Sequence, residues 1–376
     1  MQNRRDFLRS SAAALGVGVL TSGVSTRPVE RAPRALRILI LGGTGFIGPN
    51  QVRYAMARGH TVTLFNRGRT NPGLFPNVEG LVGDRATNPG QLDALRGTRE
   101  WDVVIDNPTT PPRWVREAAE VLKGRVNQYV FISTISVYAS NNTPGADETA
   151  PVLTTTTPDV EGGPEFRRLY GPLKALSEQE AEKAFPGRAT IIRPGLIVGV
   201  GDNSDRYTYW PVRVSRGGEV LAPPADDPVQ IIDARDLGEW SIRCCENSVY
   251  GVYNATGPAS RFTVRQMLEG ARSVVGGNAR FTHVTAEFLA AQQPPVQGWS
   301  QLPVWLPPAG RTAGFTQRSI KRAIDKGLTF RPYPDTVRET LAFYNQQSEE
   351  RKAQLRAGLA PERERAVLAA WHARGS

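Results

Sequence analysis

The sequence predicts an α/β fold: a doubly wound parallel sheet followed by a smaller and less regular part. Three observations predict it. From Arg37 onward, short β-rich runs alternate with helical stretches, the pattern of a sheet covered by helices on both faces. The segment LILGGTGFIG leads from a strand straight into a helix through glycines three apart. After Gly199 the rhythm changes to short strands mixed with helices and a Pro- and Trp-rich segment.

The elements follow in order. RILIL is a strand, FIGPNQVRYAMARG a helix, and TVTLF, VEGLVG and DVVID are the second, third and fourth strands. PRWVREAAEVLKG is a helix, QYVFIS a fifth strand and ATIIR a later one. Beyond residue 200, VQIID, GVYNAT and RFTHV read as short strands, and TVRQMLEGARSVV as a helix. This divides the chain into 1–36, a leader and linker; 37–200, the sheet domain; 201–345, a smaller part wound into it by returning strands; and 346–376, a charged tail. The tail reads as surface helix with one apolar stripe.

The leader has its own signature. Paired arginines in NRRDFLRS stand before the short apolar run SAAALGVGVL, which reads as a twin-arginine export address. The run from Ser11 to Val24 is too short and too rich in Gly and Ser for a membrane span. Cleavage and retention as an anchor both stay open. Export is expected to place the mature protein outside the cytoplasm, periplasmic or otherwise extracytoplasmic, with the twin-arginine export machinery as a partner.

Composition narrows the function. The formal charge is +10, of which six arginines against Asp6 and Glu30 in the first 36 residues account for +4. The remainder is spread along the chain, a weak signal for nucleic acid. The two cysteines, Cys244 and Cys245, are adjacent within an expected helix and read as small buried thiols. The three histidines have no ligand spacing, so no metal site and no Ser/His/Asp triad is expected.

The glycine segment is the strongest chemical signal. Gly42 permits the tight turn, Gly45 lets a pyrophosphate approach the backbone and the helix N-terminus, and Gly48 allows close packing of the helix. Phe46 and Ile47 complete this loop. Placed between strand and helix, it predicts a Rossmann-type dinucleotide site. The second strand ends in Asn66 and Arg67, with Arg69 nearby, where an acidic residue would hold the ribose of NAD. A guanidinium there favours the 2′-phosphate of NADP, with NAD still open. After the third strand, Asp84 is placed to accept a bond from an adenine amino group, with Arg85 flanking it.

LYGPLKALSEQ sets Tyr170 and Lys174 one helical turn apart on one face. A nearby ammonium lowers a phenol's pKa, so Tyr170 can take a proton from a substrate hydroxyl while a nicotinamide takes the hydride. Lys174 can also hold the nicotinamide ribose. FISTISVY ends the fifth strand, where Thr134, with Ser133 and Ser136 as neighbours, can bind the reacting oxygen.

With GGTGFIG, GDR, STISVY, YGPLK, IIRPGLIVGVGD and IIDARDL in that order, the chain resembles the extended short-chain dehydrogenase/reductases of the NAD-dependent epimerase/dehydratase family. The resemblance runs from Arg37 to about Tyr344. It implies a Thr134, Tyr170, Lys174 catalytic triad, a nicotinamide lined by the RPGLI segment with Pro194 and Leu196, and a homodimer paired through two long helices. TLFNRGRTN with VGDR is similar to a bacterial branch that itself resembles chloroplast stem-loop RNA-binding proteins. Sugar-nucleotide 4,6-dehydratases carry Asp-Glu after the Thr; Ile135 and Ser136 stand here, which disfavours dehydration. The DNPTT segment also departs from the relatives.

Two classes of function follow. One is an NAD(P)-dependent epimerase or reductase acting on a secondary alcohol or ketone of a sugar-like or polyol substrate, with Trp299 and Trp305 as stacking faces or as core. Export favours epimerisation, because a cofactor loaded before export and kept bound needs no recycling. The other is a binding protein for RNA or a partner that keeps the fold; the complete Thr/Tyr/Lys set speaks against it. A cytoplasmic NADP-dependent ketone reductase is the third reading.

Overall fold

A computed structural model describes residues 29–107 and 110–374. Residues 1–28 of the leader and linker expected at 1–36, and Pro108 and Thr109 of the DNPTT departure, lie outside the described residues. The apolar runs of the sequence become β1 (Arg37–Leu41), β2 (Thr61–Asn66), β3 (Glu79–Val82), β4 (Trp101–Asp106), β5 (Val126–Ile132) and β6 (Ala189–Pro194). Three short strands follow, β7 (Leu196–Val198), β8 (Glu219–Ala222) and β9 (Ile231–Asp233), then β10 (Gly251–Ala255) and β11 (Arg280–His283). Seven of them form one parallel sheet in the order β10-β6-β5-β4-β1-β2-β3. The order reverses at β1 and β4, and ligands of such sheets bind at that crevice, beyond the strands' carboxyl ends.

Alternation along the strands makes two cores. Ile38, Ile40, Val103, Ile105, Val130, Ile132 and Ile192 face one side. They pack with residues of α1 (Gly48–Ala57) and with Leu237, Trp240 and Ile242. Leu39, Leu41, Val104, Tyr129, Phe131 and Ile191 face the other, against α2 (Pro112–Leu122) and Ala181 and Phe185 at the far end of the Tyr170 helix. Helices on both faces are what buries a sheet of this hydrophobicity. After α3 (Gly163–Arg168) comes α4 (Tyr170–Ala184), the helix expected to carry the Tyr and Lys.

Beyond β6 the chain builds a third core from segments that carry weak periodicity. It joins α5 (Tyr209–Ser215), α7 (Val264–Val275) and α10 (Tyr333–Asn345) to the β8–β11 pair, around Trp210, Met267, Trp305 and Val337. Between them, α6 (Ala234–Glu246) returns to the main sheet and packs against α1. Thr263 and Gln266 form a capping box at the start of α7. α8 (Ala286–Ala291) and α9 (Lys321–Asp325) are short connectors.

The tail becomes α11 (Glu349–Ala353) and α12 (Pro361–His372). It carries more than a surface stripe. Buried Glu364 accepts from Arg213 at 2.7 Å and from the Leu221 backbone at 3.0 Å, tying α12 to the third core. Both cysteines are buried and free, and burial pushes the Cys244 thiol up to about 12. Among the described residues, no helix is long and apolar enough to cross a membrane.

Candidate functional site

The carboxyl ends of β1, β2, β5 and β6 open into one cavity of about 660 Å³. Its floor is the glycine loop. Gly42 has φ +104° and Gly43 φ +95°, left-handed values at which a side chain would be strained, so the turn out of β1 needs both glycines. A Cβ on Gly45 would meet nothing within 4 Å, which leaves an open cradle. A Cβ on Gly48 would lie 2.4 Å from the Gly43 Cα, so the third glycine lets α1 close onto the loop itself. The first turn of α1 has no side-chain cap and no acidic residue to repel an anion. Pro49 has no N–H and the Asn50 N–H turns to the Ile47 carbonyl at 3.1 Å, so an anion would be met by the N–H groups of the glycine loop and Gly48. Phe46, Ile47, Asn66, Arg67, Arg69, Thr70 and Asp84 line the same cavity. An open cradle at a helix N-terminus, with exposed arginines beyond it, fits a dinucleotide.

Arg85 lines the cavity beside Asp84 and is also tied into the sheet. Its guanidinium is buried in a bidentate pair with Asp106, at 2.7 and 2.9 Å, and donates to the Trp114 carbonyl at 2.7 Å. The Tyr129 hydroxyl donates to the same carboxylate at 2.6 Å. Arg85 therefore braces β4 through Asp106 while it lines the cavity. Ser133 is likewise committed: its hydroxyl binds Glu178, which pairs with Arg193 at 2.9 and 2.6 Å. That leaves Thr134 and Ser136 as the strand-end hydroxyls, bonded to each other at 3.2 Å and both in the cavity lining.

Tyr170 begins α4 and presents its ring to the cavity, 39% exposed. Pro194 and Leu196 line the same cavity as the glycine loop. Partial enclosure raises the Tyr170 phenol above its ordinary value, opposed by Thr134 and by the charge of Arg206. Lys174, four residues on, is buried beneath the lining. Its Nζ donates to the Ile132 carbonyl at 2.7 Å and lies 4.0 Å from the Phe131 ring centroid. Burial lowers its ammonium to about 7, with Asp106 and Glu178 pulling the other way. Arg206 is thus one charge that acts on the phenol, and Lys174 bonds the end of β5.

The two tryptophans divide. Trp305 is 1% exposed in the third core, its indole N–H on Asp227 at 2.7 Å. Trp299 lines the cavity, perpendicular to Phe315 at 5.1 Å. Asp202, Arg206 and Phe315 complete that end of the cavity, and sequence reasoning assigned none of them a role. A usable signal was the dense aromatic run YTYW directly after Arg206, which anchors a charged residue at the edge of a packed segment.

Residues 38–255 match the model of the NAD dependent epimerase/dehydratase family. The epimerase family protein SDR39U1 of Bos taurus is 26% identical over 257 residues, 64% of this chain and 81% of that protein. The 2-alkyl-3-oxoalkanoate reductase of Stenotrophomonas maltophilia is 30% identical over 176 residues, 44% of this chain and 52% of that protein. Among solved structures, the UDP-N-acetylglucosamine 4-epimerase of Bacillus cereus has a TM-score of 0.57 at 15% identity, covering 82% of this chain and 99% of that one. The Bordetella bronchiseptica enzyme WbmH in complex with NAD+ has a TM-score of 0.56 at 15% identity, covering 83% and 99%.

Proposed function

The chain belongs to the NAD dependent epimerase/dehydratase family, an enzyme family that works through a nicotinamide dinucleotide, and from that premise we propose that it is an epimerase-type oxidoreductase of a secondary alcohol. The observation that carries this is one cavity holding both the glycine cradle and the Thr134–Tyr170 pair. The substrate is a hydroxylated small molecule, and the dinucleotide is NADP in preference to NAD, held through turnover.

The residues divide the work. The backbone at Gly45 and the first turn of α1 hold the pyrophosphate. Asn66, Arg67 and Arg69 receive the adenosine ribose, where a 2′-phosphate meets guanidinium. A bound nicotinamide would supply a hydride acceptor and donor for the substrate carbon. Thr134 holds the reacting oxygen, and Tyr170 takes and returns the hydroxyl proton. Lys174 keeps the end of β5, and so Thr134, in place through its bond to Ile132. Ile135 and Ser136 supply no acid–base pair for loss of water, which leaves redox exchange as the reaction.

The leader extends this reading: the protein folds around its dinucleotide in the cytoplasm and is exported loaded. A reaction that oxidises and re-reduces one substrate needs no external reductant, which suits such a location. The test is denaturation of purified protein followed by mass spectrometry. Stoichiometric NADP is expected in the released fraction; a chain that purifies empty and binds neither dinucleotide would overturn the proposal.

A further inference from the structure

Resting on that reading, we propose that Asp202 and Arg206 form the substrate-recognition end of the cavity, and that the substrate is a hydroxylated carboxylate. Its carboxylate meets Arg206 and a hydroxyl donates to Asp202.

Arg206 is half-buried in the cavity wall with its guanidinium 5.0 Å from the Trp299 ring centroid. Its side chain donates to Ser204 Oγ through Nε at 3.1 Å, and among the described residues no carboxylate lies within ion-pair distance of it. By contrast, Arg85, Arg193 and Arg351 each hold a carboxylate at 2.6–2.7 Å. A desolvated guanidinium stacked on an indole keeps its outer N–H groups for a planar, bidentate acceptor.

Asp202 supplies the second, independent observation. It is 6% exposed and lines the same cavity. Its Oδ1 accepts from the Ser204 backbone at 2.8 Å, and its Oδ2 is buried without a hydrogen-bond partner. A buried carboxylate oxygen without a donor is costly, and a substrate hydroxyl removes that cost. Burial raises this carboxyl, while bonds from Ser204 and, after them, the charge of Arg206 draw it down.

The surroundings hold the pair in a fixed pose. Asp205 has φ +58° and Trp299 φ +63°, left-handed backbone at non-glycine residues on both sides of the stacked pair. Such conformations persist only where neighbours impose them. Here Arg351 of the tail grips both oxygens of Asp205 at 2.7 Å, and the Arg356 backbone donates to it at 2.8 Å. The Gly358 backbone donates to the Ser300 carbonyl at 2.8 Å, next to Trp299. The tail thereby clamps the loops that carry Arg206 and Trp299.

The chemistry points to a carboxylate over a phosphate. One guanidinium faces the ligand, with the Asp202 carboxylate close by, so a dianion would meet repulsion that a single negative charge does not. A cationic substrate has no reason to sit against Arg206.

The test is calorimetry on protein saturated with NADP+. D-Gluconate, D-glucuronate and 3-hydroxybutanoate are compared with D-glucitol, methyl glucoside and 1,3-butanediol, with inorganic phosphate and UDP-glucose as further probes. At least one acid is expected to bind about ten- to a hundredfold tighter than its neutral counterpart, the range of one charge-assisted hydrogen bond. Arg206→Gln should erase that difference while leaving dinucleotide affinity intact, and Arg206→Lys should restore part of it. Asp202→Asn, nearly isosteric, should weaken the acid without removing the preference for charge. Equal binding of acids and neutral counterparts, an unaltered preference in Arg206→Gln, binding of phosphate or UDP-glucose alone, or no acid binding to loaded protein would overturn the inference and leave the dinucleotide reading standing. Failure to bind any dinucleotide would overturn both.

Discussion

The two ends of the cavity are built in different ways. The dinucleotide end is a continuous stretch of backbone: β1, the turn at Gly42 and Gly43, the cradle at Gly45 and the uncapped start of α1. The end proposed for the substrate is assembled from side chains far apart in sequence, Asp202, Arg206, Trp299 and Phe315, with the tail after residue 345 bonded to Asp205 and Ser300 beside Arg206 and Trp299. Backbone recognises what every dinucleotide shares; side chains on separate loops recognise what one substrate has. The first can be kept while the second is exchanged, which is how one fold serves many reactions.

The sharpest way to break the contrast is at Gly45. A Cβ there meets open space, so Gly45→Asp should fold normally yet place a carboxylate where the pyrophosphate sits. Dinucleotide binding should fall below detection by calorimetry, with an unchanged far-ultraviolet spectrum. Persisting affinity would remove the backbone end from the site.

Tyr170→Phe probes the seam between the ends. Dinucleotide binding should survive, and turnover of any substrate found should fall by about 10²–10⁴, the usual contribution of a positioned acid–base group. In an epimerase, deuterium at the reacting carbon should stay with the product; loss of label to added NADPH would identify a reductase.

The tryptophans sharpen the comparison within the substrate end. Trp305→Ala removes a fully buried indole and should cost about 3–5 kcal/mol of stability. Trp299→Ala should cost well under half of that, because its ring faces the cavity. Urea denaturation of the two variants decides it; equal losses would make Trp299 a core residue.

A further test concerns Lys174. With its folded-state value near 7 against an ordinary 10.5, the group is protonated in both states below pH 7, and the cost of burying the ammonium is then present in full. Between about pH 7 and 10 the unfolded chain holds a proton that the folded one has released, so stability rises with pH. Relative to Lys174→Met, the wild type should gain stability from pH 6.5 to 9.5. A flat difference would mean that Lys174 stays charged in the fold.

Much of the dinucleotide end was legible in the sequence because its determinants are neighbours. RILIL, the glycines and the helix after them specify strand, turn and helix within twenty residues, and each obeys local rules of backbone freedom and periodicity. Tyr170 and Lys174 were equally visible as a pair one turn apart. Their division of labour was not, because a shared helical face says nothing about which end of a side chain meets a carbonyl from another strand. Lys174 reaches Ile132, 42 residues away, and Arg85 reaches Asp106 across the sheet, partners that reasoning from sequence neighbours could not supply.

Sequence alone determined the sheet, the glycine cradle and the set of hydroxyls offered to a substrate, since these depend on short-range steric preference and hydrophobic alternation. The tertiary structure decided which cation stands near the phenol, which tryptophan faces the cavity and what the tail is for. Arg351 meets Asp205 across 146 residues, and Arg206 meets Trp299 across the third core. Such pairs form only after the chain has closed its long loops, and the free energy that selects them comes from burial and charge pairing in the assembled fold, which no local pattern records.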